Sequence, residues 1–278
     1  TVSPAFLAGH FYISNKETFF SYMRYFLYFS YDGGNYHGWQ QQPNAISVQE
    51  VLHKAISTLL QSTISLVGAG RTDTSVNAKR MVAHFDFCCT LPDKFTFRLN
   101  RLLPPDIAVL DIKQVNQDAH ARFDALSRTY HYYVYKEKDP FKRHYATRYL
   151  AELDYTAMNQ AAKLLLQVED FTSFSKLHTD TRTNICHVTK AEWIQVKEDL
   201  WRFEITADRF LRNMVRAIVG TIIEVGRGRM SLEEFSKVIQ QKNRCAAAES
   251  VPGEALFLVD IKYPDSLFLH TEVLHHPN

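Results

Sequence analysis

The chain has 278 residues, 46% hydrophobic and 22% charged, which excludes a disordered protein and leaves room for one large domain or two of ordinary size. Its formal charge of +2 is too small to demand a polyanionic partner, so any nucleic-acid surface must come from clustering of basic residues. No apolar run approaches the roughly 18–20 residues of a membrane span, and the four cysteines (Cys88, Cys89, Cys186, Cys245) form no CxxC pair and read as buried, reduced thiols of a cytoplasmic protein.

Residues 1–22 are mixed and aromatic, interrupted by His10, Lys16 and Glu17, and lack the charged start and apolar core of a signal peptide. Met23 reads as a natural start, so 1–22 is expected to be an N-terminal extension. Arg24 to Tyr31 is an aromatic-rich strand running into the turn Asp32-Gly33-Gly34. Ser47-Val48-Gln49-Glu50 is a capping box opening a helix whose apolar residues are Val51, Leu52, Ala55, Ile56, Leu59 and Leu60. Strands follow at 64–68 and 80–88; in the second, Met81, Ala83, Phe85 and Phe87 share one face, with His84 and Asp86 opposite. A short helix near 95–103 stops at Pro104-Pro105, and a strand near 107–115 completes β-α-β-β-α-β. The order recurs: a strand at 127–136, a helix from Asp154 to about Gln167, a hairpin at 184–207, helices at 209–225 and 231–241 (the latter from the capping box Ser231…Glu234), and a strand from Ala255 to Tyr263. The expected fold class is therefore α+β, two ferredoxin-like (βαββαβ) halves over 23–122 and 123–278, whose antiparallel sheets flank a long cleft.

The segment between the strands at 64–68 and 80–88 stands out. Gly68-x-Gly70 suggests a dinucleotide loop, but the third glycine position is Asp73 and a strand follows, so that reading fails. Asp73 sits at the mouth of a hairpin. It is either a turn residue bonding local backbone N–H groups or a carboxylate aimed by the sheet to act as nucleophile, base or metal ligand. Arg209, Arg212 and Arg216, opposite Leu211, Met214, Val215, Ile218 and Ile222, read from spacing alone as a solvated helix face. Tyr130, one of fourteen tyrosines, reads as a cross-strand core residue. The twelve histidines show no HExxH and no His/Cys ligand pattern, so no metal is expected, and His275-His276 reads as an exposed end.

Gly68-Ala69-Gly70-Arg71-Thr72-Asp73, followed by Val76 and Val82-Ala83-His84-Phe85, resembles the signature of the tRNA pseudouridine synthase A (TruA) family. So do the block from Tyr31-Asp32-Gly33-Gly34 to Gly38-Trp39-Gln40-Gln41-Gln42-Pro43, Ala121-Arg122-Phe123-Asp124-Ala125, Asp170-Phe171-Thr172-Ser173-Phe174, and the block from Arg209-Phe210-Leu211-Arg212-Asn213 to Arg216-Ala217-Ile218-Val219-Gly220. These blocks run in family order from about residue 24 to Pro264.

The resemblance implies an isomerase that converts uridine to pseudouridine in tRNA, without cofactor or metal. The N-glycosidic bond breaks, the held base rotates, and a C–C bond forms through C5. Asp73 falls on the family's essential aspartate, for attack on the sugar C1′, attack on the base, or proton abstraction from the sugar. Arg216 falls on the active-site arginine that keeps such a carboxylate ionised against desolvation. Tyr130 falls on the tyrosine that stacks on the target uracil. Arg71 is expected to enter the space vacated when the uridine leaves its stack. Arg209 and Arg212 are expected to meet phosphates, and Arg122, Arg128, Lys79 and Arg80 complete the RNA-binding set. Lys142 and Arg143, Arg227 and Arg229, and Lys242 and Arg244 are weighed evenly between RNA contact and solvated surface. The partner implied is the anticodon arm of tRNA, modified just 3′ of the anticodon and gripped by a homodimer. The competing readings are a non-catalytic RNA-binding protein with the same cleft, and a small-molecule enzyme using Asp73.

The chain departs from the family pattern at four places. Thr74-Ser75 replaces Ala-Gly after the aspartate, Asn77 stands where histidine is common, Lys79-Arg80 replaces a small pair, and Ala246 to Ser250 departs from the usual Ala-Pro-Ala. Loss of the glycine is expected to redirect the loop, with consequences for target choice rather than for catalysis.

Overall fold

The structure, a computed structural model, describes residues 22–176 and 183–269. The expected extension, apart from Tyr22, and His275-His276 lie outside the described residues. In chain order the elements are β1 (Met23–Tyr31), α1 (Val48–Leu60), β2 (Val67–Gly68), β3 (Asn77–Phe87), α2 (Phe95–Leu102), β4 (Ile107–Val115), β5 (Ser127–Tyr135), β6 (Thr147–Arg148), α3 (Tyr155–Leu164), β7 (Val188–Lys197), β8 (Leu200–Ala207), α4 (Met214–Gly226), α5 (Leu232–Gln240) and β9 (Leu256–Lys262). The protein is thus α+β. Its strands form one sheet in the order β4-β1-β3-β9-β5-β8-β7, with β2 added to β3 and β6 to β5.

Pairing is antiparallel except at β3–β9 and β5–β6. The β3–β9 contact covers only Asn77↔Phe257 and Ala78↔Leu258, and it fastens two sets of strands edge to edge into a single sheet. Two hydrophobic cores result. One gathers β1, α1, β3, α2 and β4 with Leu258 and Ile261 of β9. The other gathers α3, α4, α5 and the β7–β8 hairpin with Val76 from the loop before β3. Tyr130 packs against both.

Local chemistry explains where the elements depart from the periodic pattern. Beside α1, Ile64 and Leu66 are buried but not in a strand, because side chains take their backbone groups. Ser57 Oγ accepts the Ile64 N–H at 3.0 Å and Gln49 Nε2 donates to the Leu66 carbonyl at 2.8 Å. Only half of the first capping box forms: Ser47 Oγ accepts the Glu50 N–H, while the Glu50 carboxylate pairs with Lys54. The second box, Ser231 with Glu234, is complete. Helix α4 begins at Met214, not at 209, because Asn213 takes the left-handed backbone at φ 65°, so Arg209 and Arg212 lie on a loop ahead of the helix. Among the cysteines, Cys186 alone is buried. Cys88 and Cys89 lie past the end of β3, Cys245 sits in a surface turn, and all four are free thiols.

His84 and Val82 are buried as well as Met81, Ala83 and Phe85, so β3 is covered on both faces. The second cover comes from residues 119–121 and from Tyr263 and Phe268, whose rings meet Phe26 beside His84. His84, 5% exposed, accepts the Ala121 N–H on Nδ1 at 3.1 Å. Burial, with Arg24 and His120 nearby, pushes its pKa from 6.5 down to about 4, against an opposite pull from Asp86 and Asp124. Below the ordinary value the unfolded chain takes up a proton that the folded chain refuses. This contribution is therefore complete above pH 6.5 and is lost as pH falls toward about 4. The urea midpoint is expected to fall between pH 7 and pH 5, and to fall less steeply in His84→Asn, whose carbonyl keeps the acceptor. Parallel slopes would remove His84 from the acid sensitivity.

Candidate active site

The loop from Ala69 to Val76 joins the two cores, since Ala69 belongs to the first and Val76 to the second. Its path is fixed by backbone bonds. The Ala69 N–H donates to the Val82 carbonyl at 2.8 Å, Trp39 N–H to Thr72 O at 3.3 Å, Ser75 N–H to Tyr36 O at 3.2 Å, and Val76 N–H to Asp73 O at 3.2 Å. Thr72 Oγ1 lies 2.9 Å from the Tyr31 hydroxyl. Buried Asn77 accepts the Gly33 N–H at 2.8 Å and donates to Glu254 O at 2.7 Å, so at this position the side chain ties two loops together. Gly38, at φ +86°, passes so close that a Cβ would stand 2.2 Å from Thr72 O. Ser75 adopts φ 62°, the conformation a glycine would take freely. The loop therefore keeps a left-handed turn, with a serine in it.

Asp73, at 23% side-chain exposure, faces Arg216 at 22%: Nη1 donates to Oδ2 at 3.2 Å. Arg212 Nε stands 3.9 Å from Oδ1, on a side chain that is 53% exposed. Arg216 is aimed by the segment crossing α4. Its Nε donates to the Val251 carbonyl at 2.7 Å, and the Val251 N–H returns to the Arg216 carbonyl at 3.2 Å. That crossing needs Gly220, where a Cβ would stand 2.0 Å from Glu249 O. Asn213, which starts the helix, donates to Ser250 Oγ at 2.6 Å, and Arg244 Nη2 donates to the same oxygen at 3.0 Å. The Ala246 to Ser250 segment thus supports the arginines rather than touching the carboxylate.

Tyr130 projects from β5 at a bulge in its pairing with β9, between Thr129 and Tyr130, which re-aims the ring. Phe210 holds it edge to face at 5.1 Å and 86°. Burial pushes the Tyr130 hydroxyl up to about 12; the Arg128 guanidinium opposes this and the Asp73 carboxylate adds to it. At neutral pH the group is a protonated donor. Asp73, Tyr130 and Arg216 line one cavity of about 520 Å³, together with Arg71, Arg122, Arg209 and Arg212. Trp39, Phe123 and Phe210 add aromatic walls that periodicity did not single out, although all three lie within the quoted motif blocks.

The remaining basic residues divide sharply. Arg128 lines no part of the cavity: Nη1 donates to Ala125 O (3.0 Å) and Asp208 O (2.6 Å), and Nη2 to Ala69 O (3.2 Å) and Arg122 O (2.5 Å). With its four Nη donors used, it ties together the loops around the site and has none of them left for a phosphate. Lys79 and Arg80 also lie away from the cavity. Lys79 sits over Phe257 and Tyr133, while Arg80 covers Tyr28 and faces Asp260 at 3.6 Å. Lys142 is held by Asp199, Arg227 and Arg229 by Glu224, Lys242 by Asp170, and Arg244 by carbonyls of its own turn. Arg143 donates to His144. Among the described residues no group of three or more His, Cys, Asp or Glu could hold a metal ion, and no helix is long and apolar enough to cross a membrane.

A family profile described as tRNA pseudouridine synthase matches residues 161–264. The chain is 58% identical over 252 residues to a protein of Bacteroides thetaiotaomicron, covering 88% of this chain and 92% of that one. It is 56% identical to one of Bacteroides fragilis (89% and 99% covered) and 39% identical to one of Bacillus subtilis (84% and 96%). Each of these relatives bears the name tRNA pseudouridine synthase A.

Two substitutions test how the site is held. Ser75→Gly is expected to stabilise the protein by about 0.5–1 kcal/mol in urea unfolding, by relieving the left-handed serine; destabilisation would mean the hydroxyl or Cβ is needed there. Arg128→Lys is expected to cost about 2–4 kcal/mol, because one ammonium cannot serve four divergent carbonyls. A cost under about 0.5 kcal/mol would contradict the tie.

Proposed function

The chain belongs to the tRNA pseudouridine synthase A family, and from that membership we propose that the Asp73 cavity is where a uridine of tRNA becomes pseudouridine. The protein is an isomerase acting on tRNA. The reaction cuts the bond from C1′ to the base nitrogen N1, turns the uracil and rejoins it through C5; C5 gives up a proton and N1 takes one up, so the product is an isomer and no oxidant or reductant enters. The observation that carries this assignment is the 3.2 Å contact of the Asp73 carboxylate with Arg216, on the wall of the same cavity as Tyr130.

Each group has a task that its surroundings suit. Asp73 presents a carboxylate to the nucleoside, and Arg216 favours its charged form where water is partly excluded. Tyr130, protonated and propped by Phe210, offers the uracil a ring face and a hydroxyl donor. Enclosed within a helix, neither C1′ nor C5 could be reached, so the uridine leaves its stack. Arg71, exposed at the loop tip, takes the place left behind. Arg122, Arg209 and Arg212 line the approach and meet phosphates. The strand orders β4-β1-β3-β2 and β9-β5-β8-β7 suit two ferredoxin-like halves, 23–122 and 123–278, joined at the β3–β9 contact with the cavity at their seam. In keeping with the family resemblance, the target is the anticodon arm just 3′ of the anticodon, and the enzyme works as a cytoplasmic homodimer.

The test is tritium release from tRNA carrying 5-tritiated uridine. Wild type should release tritium without added cofactor, and Asp73→Asn should release none while binding tRNA within a few-fold. Arg216→Lys should lower turnover about a hundredfold at near-normal affinity. Unchanged turnover in either variant would remove that residue from the chemistry. Arg212→Ala should lower the slope of log affinity against log salt by about 0.7–0.9, the value of one phosphate contact, whereas Arg128→Lys should leave it unchanged.

A further inference from the structure

Phe123 stands at the same cavity as Asp73, yet 74% of it is exposed, whereas most phenylalanines of the two cores are buried. Leaving an aromatic ring in water forgoes the stabilisation its burial would give. The ring is not held loosely. It lies in a turn closed by two bonds between His120 and Asp124: the Asp124 N–H donates to the His120 carbonyl at 3.1 Å, and the His120 N–H to Asp124 Oδ2 at 2.7 Å. Two further backbone N–H groups, of Arg122 and Phe123, donate to His120 Nδ1 at 3.1 and 3.3 Å. The imidazole thus oriented backs the Phe123 ring at 4.3 Å and 35° and is itself met edge-on by His84 at 4.6 Å. The Arg122 guanidinium lies 5.7 Å from the ring centre, and the Arg122 carbonyl is held by Arg128. One face of the ring is therefore propped from the protein side, and the turn that carries it is anchored to the seam.

We propose that Phe123 is a stacking platform for a nucleobase of the tRNA that flanks the target uridine. This rests on the reading of the Asp73 cavity as the site that receives that uridine. With Arg71 in the gap the uridine leaves, a nucleotide beside it that is splayed from the loop still has a base face free to stack. An aromatic ring stacks on any of the four bases because each has a π-face, and a guanidinium beside it suits the adjoining phosphate. Tyr130 serves the everted base and Phe123 serves a neighbour, so the cavity has two aromatic stations with separate occupants. Phe123 acts on binding and register rather than on the reacting atoms.

The experiment measures affinity and single-turnover rate for a synthetic anticodon-arm RNA. The RNA is used intact and with an abasic nucleotide on the 5′ or the 3′ side of the target, against wild type, Phe123→Ala and Phe123→Trp. Phe123→Ala should bind intact RNA about ten- to hundredfold more weakly, with the rate of bound RNA within about threefold of wild type, and Phe123→Trp should restore affinity. On one of the two abasic RNAs, wild type and Phe123→Ala should bind alike. Equal binding of intact RNA by Phe123→Ala and wild type would overturn the proposal, as would an undiminished loss on both abasic RNAs. Failure of wild type to convert the intact RNA would count against the reading of the Asp73 cavity instead, and it leaves the affinity comparison to be judged by itself.

Discussion

An aspartate and an arginine 143 residues apart meet at 3.2 Å, and much of the fold is arranged around that contact. The aspartate rides a loop with one end in each core, so its position is set by both at once. The arginine is one of two charged residues, with Glu224, on a helix whose other residues are buried. Its direction is set by a two-way bond with Val251, which depends on the bare Cα of Gly220 beneath the crossing segment. Neither core alone presents the pair.

The short parallel contact between β3 and β9 carries the same constraint into the sheet. It lies at the start of β3, directly after the Asp73 loop, and at the part of β9 that faces Tyr130 and His131 on β5. The bulge at Tyr130 and the Arg128 tie flank this seam. Arg128 holds carbonyls from the aspartate loop, from the Arg122 turn and from the loop after β8. Desolvation lowers its pKa, a cost that its four carbonyl bonds offset in geometry if not in charge. The site is thus a convergence of loops on a rigid sheet, the arrangement expected where catalytic groups must be held to within fractions of an ångström.

Much of this was legible in the residues. The aromatic strand β1, the capped helices α3 and α5, and the β7–β8 hairpin follow the alternation and cap chemistry of their sequences. Asp73 could be placed at a hairpin mouth, but only resemblance lifted it above an ordinary turn residue. What stayed hidden depends on long-range partners. Arg128 resembles any strand arginine until four carbonyls surround it. Asn213 is a residue type that tolerates the left-handed backbone, but the partner that holds its side chain, Ser250, lies 37 residues on. The burial of His84 follows from a cover supplied by residues 119–121 and 263–268, which no two-residue period can foresee. Phe123 looked like one motif residue among many, and its exposure is visible only in the fold.

The central claim is that the Asp73 carboxylate and the Arg216 guanidinium act on the uridine as one unit. Single-turnover formation of pseudouridine in tRNA across the cycle Asp73→Glu, Arg216→Lys and the double variant measures this directly. Groups that work through each other lose their joint contribution once, so the double variant should be scarcely slower than the slower single variant. Losses that multiply across the cycle would mean the two side chains contribute separately, and the account built on their contact would be wrong.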